Sequence, residues 1–179
     1  MLEEITIRQA ESRDYPVIFE LIKKAFEHEE HSDHREQFLV ERLTQSGAFV
    51  PELSLVAESE EQIIGYILLN KIQIVNAESK NTALALAPVA VLPERQGQGV
   101  GGKLIQAAHQ SAVMVGFDSI ILLGHANYYP KFGYQPANHY DISLPFDVPE
   151  ENCMAIELKQ NALAEISGVV EYPKAFFEY

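Results

Sequence analysis

Apolar residues recur along this chain with two periods, one helical and one extended. From Val17 to Phe26 they return at three- and four-residue steps, which predicts a helix with one buried face. Ile5 and Ile7 alternate with polar neighbours, and this alternation predicts a first strand with one buried side. The same two patterns predict helices over 35–45 and 104–116, a short helical segment over 128–132, and strands over 53–57, 63–74, 82–91 and 153–158. A nearly continuous apolar run predicts a further strand over 119–123, buried on both faces.

The order of these elements, β-α-α-β-β-β-α-β-α-β, predicts a single α/β domain over residues 1–179 with a mixed sheet. Pro88 falls inside the predicted strand 82–91. Because proline has no N–H to donate to a ladder, we expect a bulge or a lost pairing beside it. A strand that stops pairing leaves free backbone groups, which an extended ligand with amide groups can bond.

A glycine-rich turn separates the strand 82–91 from the helix that follows it. Residues 96–102 hold four glycines in seven positions, namely Gly97, Gly99, Gly101 and Gly102. Glycine permits a positive φ and a close approach of the backbone to a ligand. The turn also precedes a helix, whose unpaired N–H groups and dipole favour an anion. The pattern therefore predicts a phosphate cradle built mainly from backbone.

Spacing decides between the known kinds of phosphate cradle. A P-loop requires a serine or threonine after its lysine, whereas Lys103 is followed by Leu104. Residues 97–102 fit the letters of a dinucleotide fingerprint, but they lie halfway along the chain, after two predicted antiparallel strands. Twenty residues after the last glycine, Gly102, where such sites place an acidic residue, the chain has Leu122 followed by Leu123. The dinucleotide interpretation is therefore disfavoured.

Two motifs of the chain resemble those of the GCN5-related N-acetyltransferase (GNAT) family. QGQGVG at residues 96–101 is similar to its acyl-CoA signature, Gln/Arg-x-x-Gly-x-Gly/Ala, and YYPKFGY at 128–134 is similar to its downstream aromatic segment. The resemblance implies a mixed, mostly antiparallel sheet flanked by helices, with acetyl-CoA as co-substrate and an amine as acceptor. It also implies that main-chain groups of Val89, Ala90 and Val91 bond the pantetheine arm, and that the pyrophosphate is held by Gln96, Gly97, Gln98, Gly99, Val100, Gly101 and Gly102.

The resemblance also suggests catalytic roles for two side chains. Tyr129 aligns with the tyrosine that in many members protonates the departing thiolate. His125, four residues earlier, is a candidate base for deprotonating the amine, although lining a pocket is the simpler role for it. The family often has asparagine near Leu122 and alanine near His125, and this chain has neither. The contacts that family members usually make at these two positions are therefore in question for this chain.

Composition limits the remaining classes of function. A formal net charge of −13 without a basic stretch argues against nucleic acid as a partner. No signal peptide or membrane-length apolar run is visible, and the single cysteine, Cys153, indicates a reducing compartment, so we expect a soluble cytoplasmic protein. His28, His31 and His34 recur amid acidic residues, but a solvated face is the default for such a run, so no metal is expected.

The sequence leaves three questions open. The acceptor is not identified, and a small polyamine, an aminoglycoside, an amino acid, a peptide N-terminus or a lysine side chain all fit. A CoA-binding sensor or interaction module without turnover is the alternative to an enzyme. The aromatic C-terminus, with Phe176, Phe177 and Tyr179, can pack on its own core or on a second copy, so a homodimer is possible.

Overall fold

The structure is a computed structural model and describes residues 3–177. Three α-helices and nine strands make up its regular part. The helices are α1 (Tyr15–Ala25), α2 (Glu36–Thr44) and α3 (Val100–Met114). The strands are β1 (Thr6–Gln9), β2 (Phe49–Ser59), β3 (Gln62–Val75), β4 (Lys80–Val91), β5 (Ser119–Leu123), β6 (Gln135–Pro136), β7 (Ile142–Ser143), β8 (Cys153–Glu157) and β9 (Gly168–Glu171).

The strands form one sheet in the order β1-β2-β3-β4-β5-β8-β6, with β9 pairing with β3 and β7. Antiparallel pairs predominate, while β4 with β5 and β7 with β9 are parallel. The parallel step from β4 to β5 is made through α3, as a parallel pair requires a crossover. The predicted mixed, mostly antiparallel sheet flanked by helices is confirmed.

Helices cover both faces of the sheet, and contacts of β3 show that α3 and α1 lie on opposite faces. Gly65 faces α3, since a Cβ there would lie 2.9 Å from a methyl carbon of Leu104. The next residue, Tyr66, points to the opposite face, because side chains alternate along a strand. There it joins a hydrogen-bonded chain to Tyr15, the first residue of α1, through Ser54. The central strands are therefore buried on both sides.

The bulge predicted near Pro88 is present. Across the β3–β4 ladder Ile67 pairs with Val89, whereas Leu69 pairs with Leu86, so β4 has one more residue than β3 over this interval. A two-against-one arrangement of this kind bends a strand and increases its twist. Beyond the bulge β4 thus changes direction, and this change matters for the site described below.

Several details differ from the sequence prediction. The tail contains β6, β7 and β9, which were not predicted, because strands of two to four residues are too short to show a period. β9 pairs with β3 over Gln73–Val75, beyond the part of β3 that pairs with β2. Asp14 directly precedes α1, where an aspartate often caps a helix, but its carboxylate accepts hydrogen bonds from Arg8 and from the Glu11 N–H instead. The segment 128–132 forms a 3-10 turn over Tyr129–Phe132.

The buried Ser54 hydroxyl gives a first testable prediction. It lies 2.8 Å from the hydroxyls of both Tyr15 and Tyr66, and Tyr66 is fully buried. Ser54→Ala removes the hydroxyl that bridges the two tyrosines in this buried chain, so we expect a loss of about 1–3 kcal/mol in the free energy of unfolding by urea titration. Ser54→Ala combined with Tyr66→Phe removes both polar groups, and should cost less than the sum of the single changes.

Ser59→Ala is the matched control, because Ser59 is also buried but donates a longer bond of 3.4 Å to the exposed carboxylate of Glu3. We expect a loss below about 1 kcal/mol for this variant. An equal loss for both serines would show that the hydroxyl chain beneath α1 has no special importance for stability.

Candidate active site

A gap opens in the sheet between β4 and β5. The two strands pair in parallel at Leu84 with Ile120 and at Ala85 with Ile121. β4 continues to Val91, but within residues 3–177 no pairing of the two strands follows those two rungs. The bulge in β4 lies directly after the last paired rung. The strands therefore diverge, and the end of β4 offers backbone groups to a ligand.

The ladder between β3 and β4 shows which backbone groups face this gap. The Leu92 N–H donates to the Ile64 carbonyl at 3.0 Å, so this pair is a hydrogen-bonded one. Bonded and non-bonded pairs alternate along an antiparallel ladder. The backbone groups of Val91 and Val89 therefore point away from β3 and into the gap. Those of Ala90 point to Tyr66 on β3, so only its two neighbours remain as donors and acceptors for a ligand.

The glycine turn leads directly into α3 with amides left unpaired. Gly97 and Gly99 have φ of 75° and 83°, and a Cβ on either would meet no atom within 4 Å. The first helical bond runs from the Lys103 N–H to the Gly99 carbonyl. The amides of residues 100–102 thus lack helical partners, and Gly99 provides no side-chain cap. Together with the helix dipole, these donors make a site for an anion.

Two glutamine side chains hold the turn in shape. The Gln96 side-chain amide donates to the Val91 carbonyl at 3.1 Å, and that of Gln98 donates to the Glu94 carbonyl at 3.2 Å. The first bond ties the turn to the end of β4, and the second ties it to the short 3-10 segment Pro93–Arg95. The Val91 N–H and both groups of Val89 then remain for a ligand in the gap.

Tyr129 stands beside the β5 wall of the gap. Gly124 directly follows Leu123, the last residue of β5, and its N–H donates to the Asn152 carbonyl at 2.9 Å. A Cβ on Gly124 would collide with the Tyr129 ring, so only glycine permits this ring position. Tyr129 is 8% exposed, and burial, followed by the nearby Tyr128, raises the pKa of its phenol to about 12. Its hydroxyl therefore holds a proton at neutral pH.

His125 begins the turn that carries the tyrosines. Its side chain is exposed, and its carbonyl accepts hydrogen bonds from the Tyr128 and Tyr129 amides at 3.1 and 3.5 Å. The imidazole thus lies just after Gly124, at the end of β5, where solvent reaches it. This position fits a group that exchanges protons with water.

Burial of tyrosines predicts a loss of stability at high pH. The pKa values of Tyr66, Tyr129, Tyr134 and Tyr172 are all raised, mainly by burial. Because the folded protein holds these protons more tightly, their contribution to stability is full below the unfolded pKa of about 10 and is lost as pH rises from there toward 12. We expect a falling urea midpoint over that interval, with tyrosinate absorbance appearing together with unfolding. Complete ionisation near pH 10 in the folded state would contradict this assignment.

Within the described residues, 3–177, no group of three or more His, Cys, Asp or Glu side chains is placed to hold a metal ion. The exposed His34 ring lies 2.9 Å from the Phe26 carbonyl. Cys153 is buried, and burial raises the pKa of its thiol. Among residues 3–177, no helix is both long and apolar enough to cross a bilayer.

Sequence reasoning missed two features of the site. The first is the position of the Tyr128 hydroxyl, which would lie 3.0 Å from a Cβ on Gly101 at the first turn of α3, while the Tyr128 ring packs against the main core. Sequence reasoning also gave no role to Gly124. A glycine between a predicted buried strand and an aromatic pair was the available signal, because such a residue often marks a close packing contact.

Comparison with known proteins identifies relatives of this chain. Residues 51–136 match the family described as Acetyltransferase (GNAT) domain. The Escherichia coli K12 protein named uncharacterized N-acetyltransferase YhbS is 30% identical over 164 residues, which cover 91% of this chain and 93% of that protein. Uncharacterized N-acetyltransferase YjhQ of the same organism is 36% identical over 119 residues, or 66% of each chain.

Two solved structures are similar over almost the whole chain. The Escherichia coli YhbS structure in complex with CoA has a TM-score of 0.89 and 27% identity, covering 100% of this chain and 95% of that one. A GNAT family acetyltransferase from Brucella melitensis in complex with acetyl-CoA has a TM-score of 0.80 and 28% identity, covering 98% and 99%.

Proposed function

We propose a function from one premise: the chain belongs to the GNAT family of acetyltransferases. Its single domain binds acetyl-CoA in the gap between β4 and β5 and transfers the acetyl group directly to a primary amine. The observation that carries this proposal is the gap itself, which joins a strand end with free backbone groups to a helix start with free amides.

The two parts of the gap suit the two parts of the co-substrate. Amides of residues 97–102 bind the pyrophosphate, since glycine leaves the surface open and no side chain caps α3. The backbone groups of Val89 and the Val91 N–H bond the amides of the pantetheine arm, as an added strand would. The main-chain groups of Ala90 face Tyr66 on β3 and are not available to the co-substrate. The thioester then lies at the end of the pantetheine arm that is farther from the glycine turn, toward Pro88.

The chemistry of transfer requires a proton donor at that level of the gap. When the amine attacks the thioester carbonyl, an N–C bond forms, the C–S bond breaks and CoA leaves as a thiolate. Tyr129, whose ring packs on Gly124 directly after β5, gives its phenolic proton to the sulfur and regains one from solvent or from the product. His125 takes the proton of the attacking ammonium, directly or through water. Cys153 is buried and has no part in the transfer.

The finer properties of the enzyme are also proposals. The acceptor is a small-molecule or peptide amine, and its identity is open. A homodimer through the half-exposed Phe177, and a cytoplasmic location, remain predictions from the sequence. Tyr179 lies outside the described residues.

Release of free thiol from acetyl-CoA, measured with a panel of primary amines, tests the proposed function. We expect thiol release that depends on one class of amine and yields the acetylated amine by mass spectrometry. Binding of CoA without amine-dependent release across polyamines, aminoglycosides, amino acids and peptides would favour the alternative, a CoA-binding module without turnover.

A further inference from the structure

The two adjacent tyrosines of the segment 128–134 lie at different depths and at different ends of the gap. Tyr129 is almost fully buried against Gly124, directly after the end of β5. Tyr128 is only half-buried, and its hydroxyl lies over Gly101 in the first turn of α3. The distance from a Cβ on Gly101 to the Tyr128 hydroxyl oxygen would be 3.0 Å. One tyrosine is therefore near the expected thioester, and the other is near the expected phosphates.

A cation accompanies the Tyr128 hydroxyl. The Lys131 ammonium lies 4.1 Å from the centre of the Tyr128 ring, over its face, and 5.3 Å from the centre of the Phe132 ring. The Phe132 ring packs against Gly102, at 3.4 Å from a Cβ placed there. The Tyr128 hydroxyl and the Phe132 ring thus lie against the first turn of α3, and the Lys131 ammonium lies over the rings of both residues.

Packing does not account for the Tyr128 hydroxyl. The ring contacts Tyr129 and Phe132 edge to face, but within residues 3–177 the hydroxyl has no hydrogen-bond partner. Its pKa is raised by burial, so it keeps its proton and can donate. Phenylalanine would pack equally well at this position. A hydroxyl without a partner beside a helix start without a cap can donate to an acceptor bound there.

The overall charge makes such local donors important. The chain has 26 acidic against 13 basic residues, which opposes the approach of a polyanion. Arg95, in the turn before the glycines, is paired with Glu3. Lys131 is exposed, and among the described ion pairs it has no carboxylate partner. It can therefore contribute its charge to a ligand at the start of α3.

We infer that Tyr128 and Lys131 bind the phosphate end of CoA, the hydroxyl by donating to a phosphate oxygen and the ammonium by charge. This assignment rests on the proposed function. It separates the roles of the two tyrosines: Tyr128 determines affinity for the phosphorylated co-substrate, and Tyr129 serves the chemical step.

Calorimetric titration of Tyr128→Phe with CoA and with pantetheine, which lacks the phosphates, tests the inference. We expect the Kd for CoA to rise about tenfold, the size expected for one hydrogen bond to a charged group, and the Kd for pantetheine to stay unchanged. Lys131→Gln should raise the Kd for CoA about threefold at low salt and less at high salt, since screening weakens an exposed charge.

Two variants serve as controls, and each outcome is decisive. Tyr140→Phe removes a hydroxyl that contacts Glu157, and Lys159→Gln removes an exposed charge, both in other parts of the chain, so neither should change either Kd. Equal weakening of CoA and pantetheine by Tyr128→Phe, or no weakening of CoA, would overturn the inference while leaving the proposed function intact. Failure of the unsubstituted protein to bind CoA would overturn both.

Discussion

Tyr129→Phe is expected to lower kcat for amine acetylation by about a hundredfold or more, while the Kd for acetyl-CoA stays within about twofold. A positioned general acid contributes roughly 10²–10⁴ to a rate, and phenylalanine keeps the ring against Gly124 while removing the proton. The ring contributes most of the packing, so the fold should persist. Steady-state kinetics and calorimetry on the same preparation measure the two quantities.

Tyr134→Phe is the matched control for that loss. Tyr134 is also buried and its ring contacts Tyr129, but its hydroxyl is 2.8 Å from the His109 imidazole on α3. Its removal should cost about 1–3 kcal/mol of stability and change kcat by less than about threefold. If Tyr134→Phe lowered kcat as much as Tyr129→Phe, the effect would come from the packing of the aromatic cluster and not from proton donation.

Gly99→Ala is expected to raise the Kd for CoA by about ten- to a hundredfold. The residue lies at φ 83° immediately before α3, where a side chain costs about 1–2 kcal/mol in backbone energy. If the turn moves to relieve this strain, the amides of residues 100–102 are no longer aligned, and one or more hydrogen bonds to phosphate are lost. Calorimetric titration measures the change directly.

The opposite end of the same helix provides a control with the same strain. Gly116 follows α3 at φ 95°, and a Cβ there would also meet no atom within 4 Å. Gly116→Ala should lower stability by a similar 1–2 kcal/mol without changing the Kd for CoA. Equal effects of the two variants on CoA affinity would mean that the glycine turn acts only through general stability.

Much of the fold could be predicted because long elements carry strong periodic signals. Ser119–Leu123 was predicted without error from its continuous apolar run, and the bulge near Pro88 followed from the missing N–H of proline. The short strands β6, β7 and β9 could not be predicted, because pairing with distant strands creates them. β9 forms along the part of β3 that β2 does not pair with. The residues Gly168–Glu171 themselves have no pattern from which this pairing could be predicted.

The site could be predicted only in part, for a related reason. The sequence identified the glycine turn, since residue type and order determine its conformation. It could not show how deeply Tyr128 and Tyr129 are buried, because their positions depend on contacts with two glycines distant from each other in sequence, Gly101 and Gly124. Nor could it show that the main chain of Ala90 faces β3, because this follows from the register between two strands.

Binding of CoA in the gap between β4 and β5 is the central claim, and a thermal-shift series with acetyl-CoA, CoA, NAD and ATP at equal concentration tests it most directly. A ligand present at a hundred times its Kd stabilises the folded state by about 2.7 kcal/mol, which shifts the Tm measurably. We predict that acetyl-CoA and CoA raise the Tm by several degrees and that NAD and ATP do so much less. No shift with either CoA species, or an equal shift with NAD or ATP, would contradict the account.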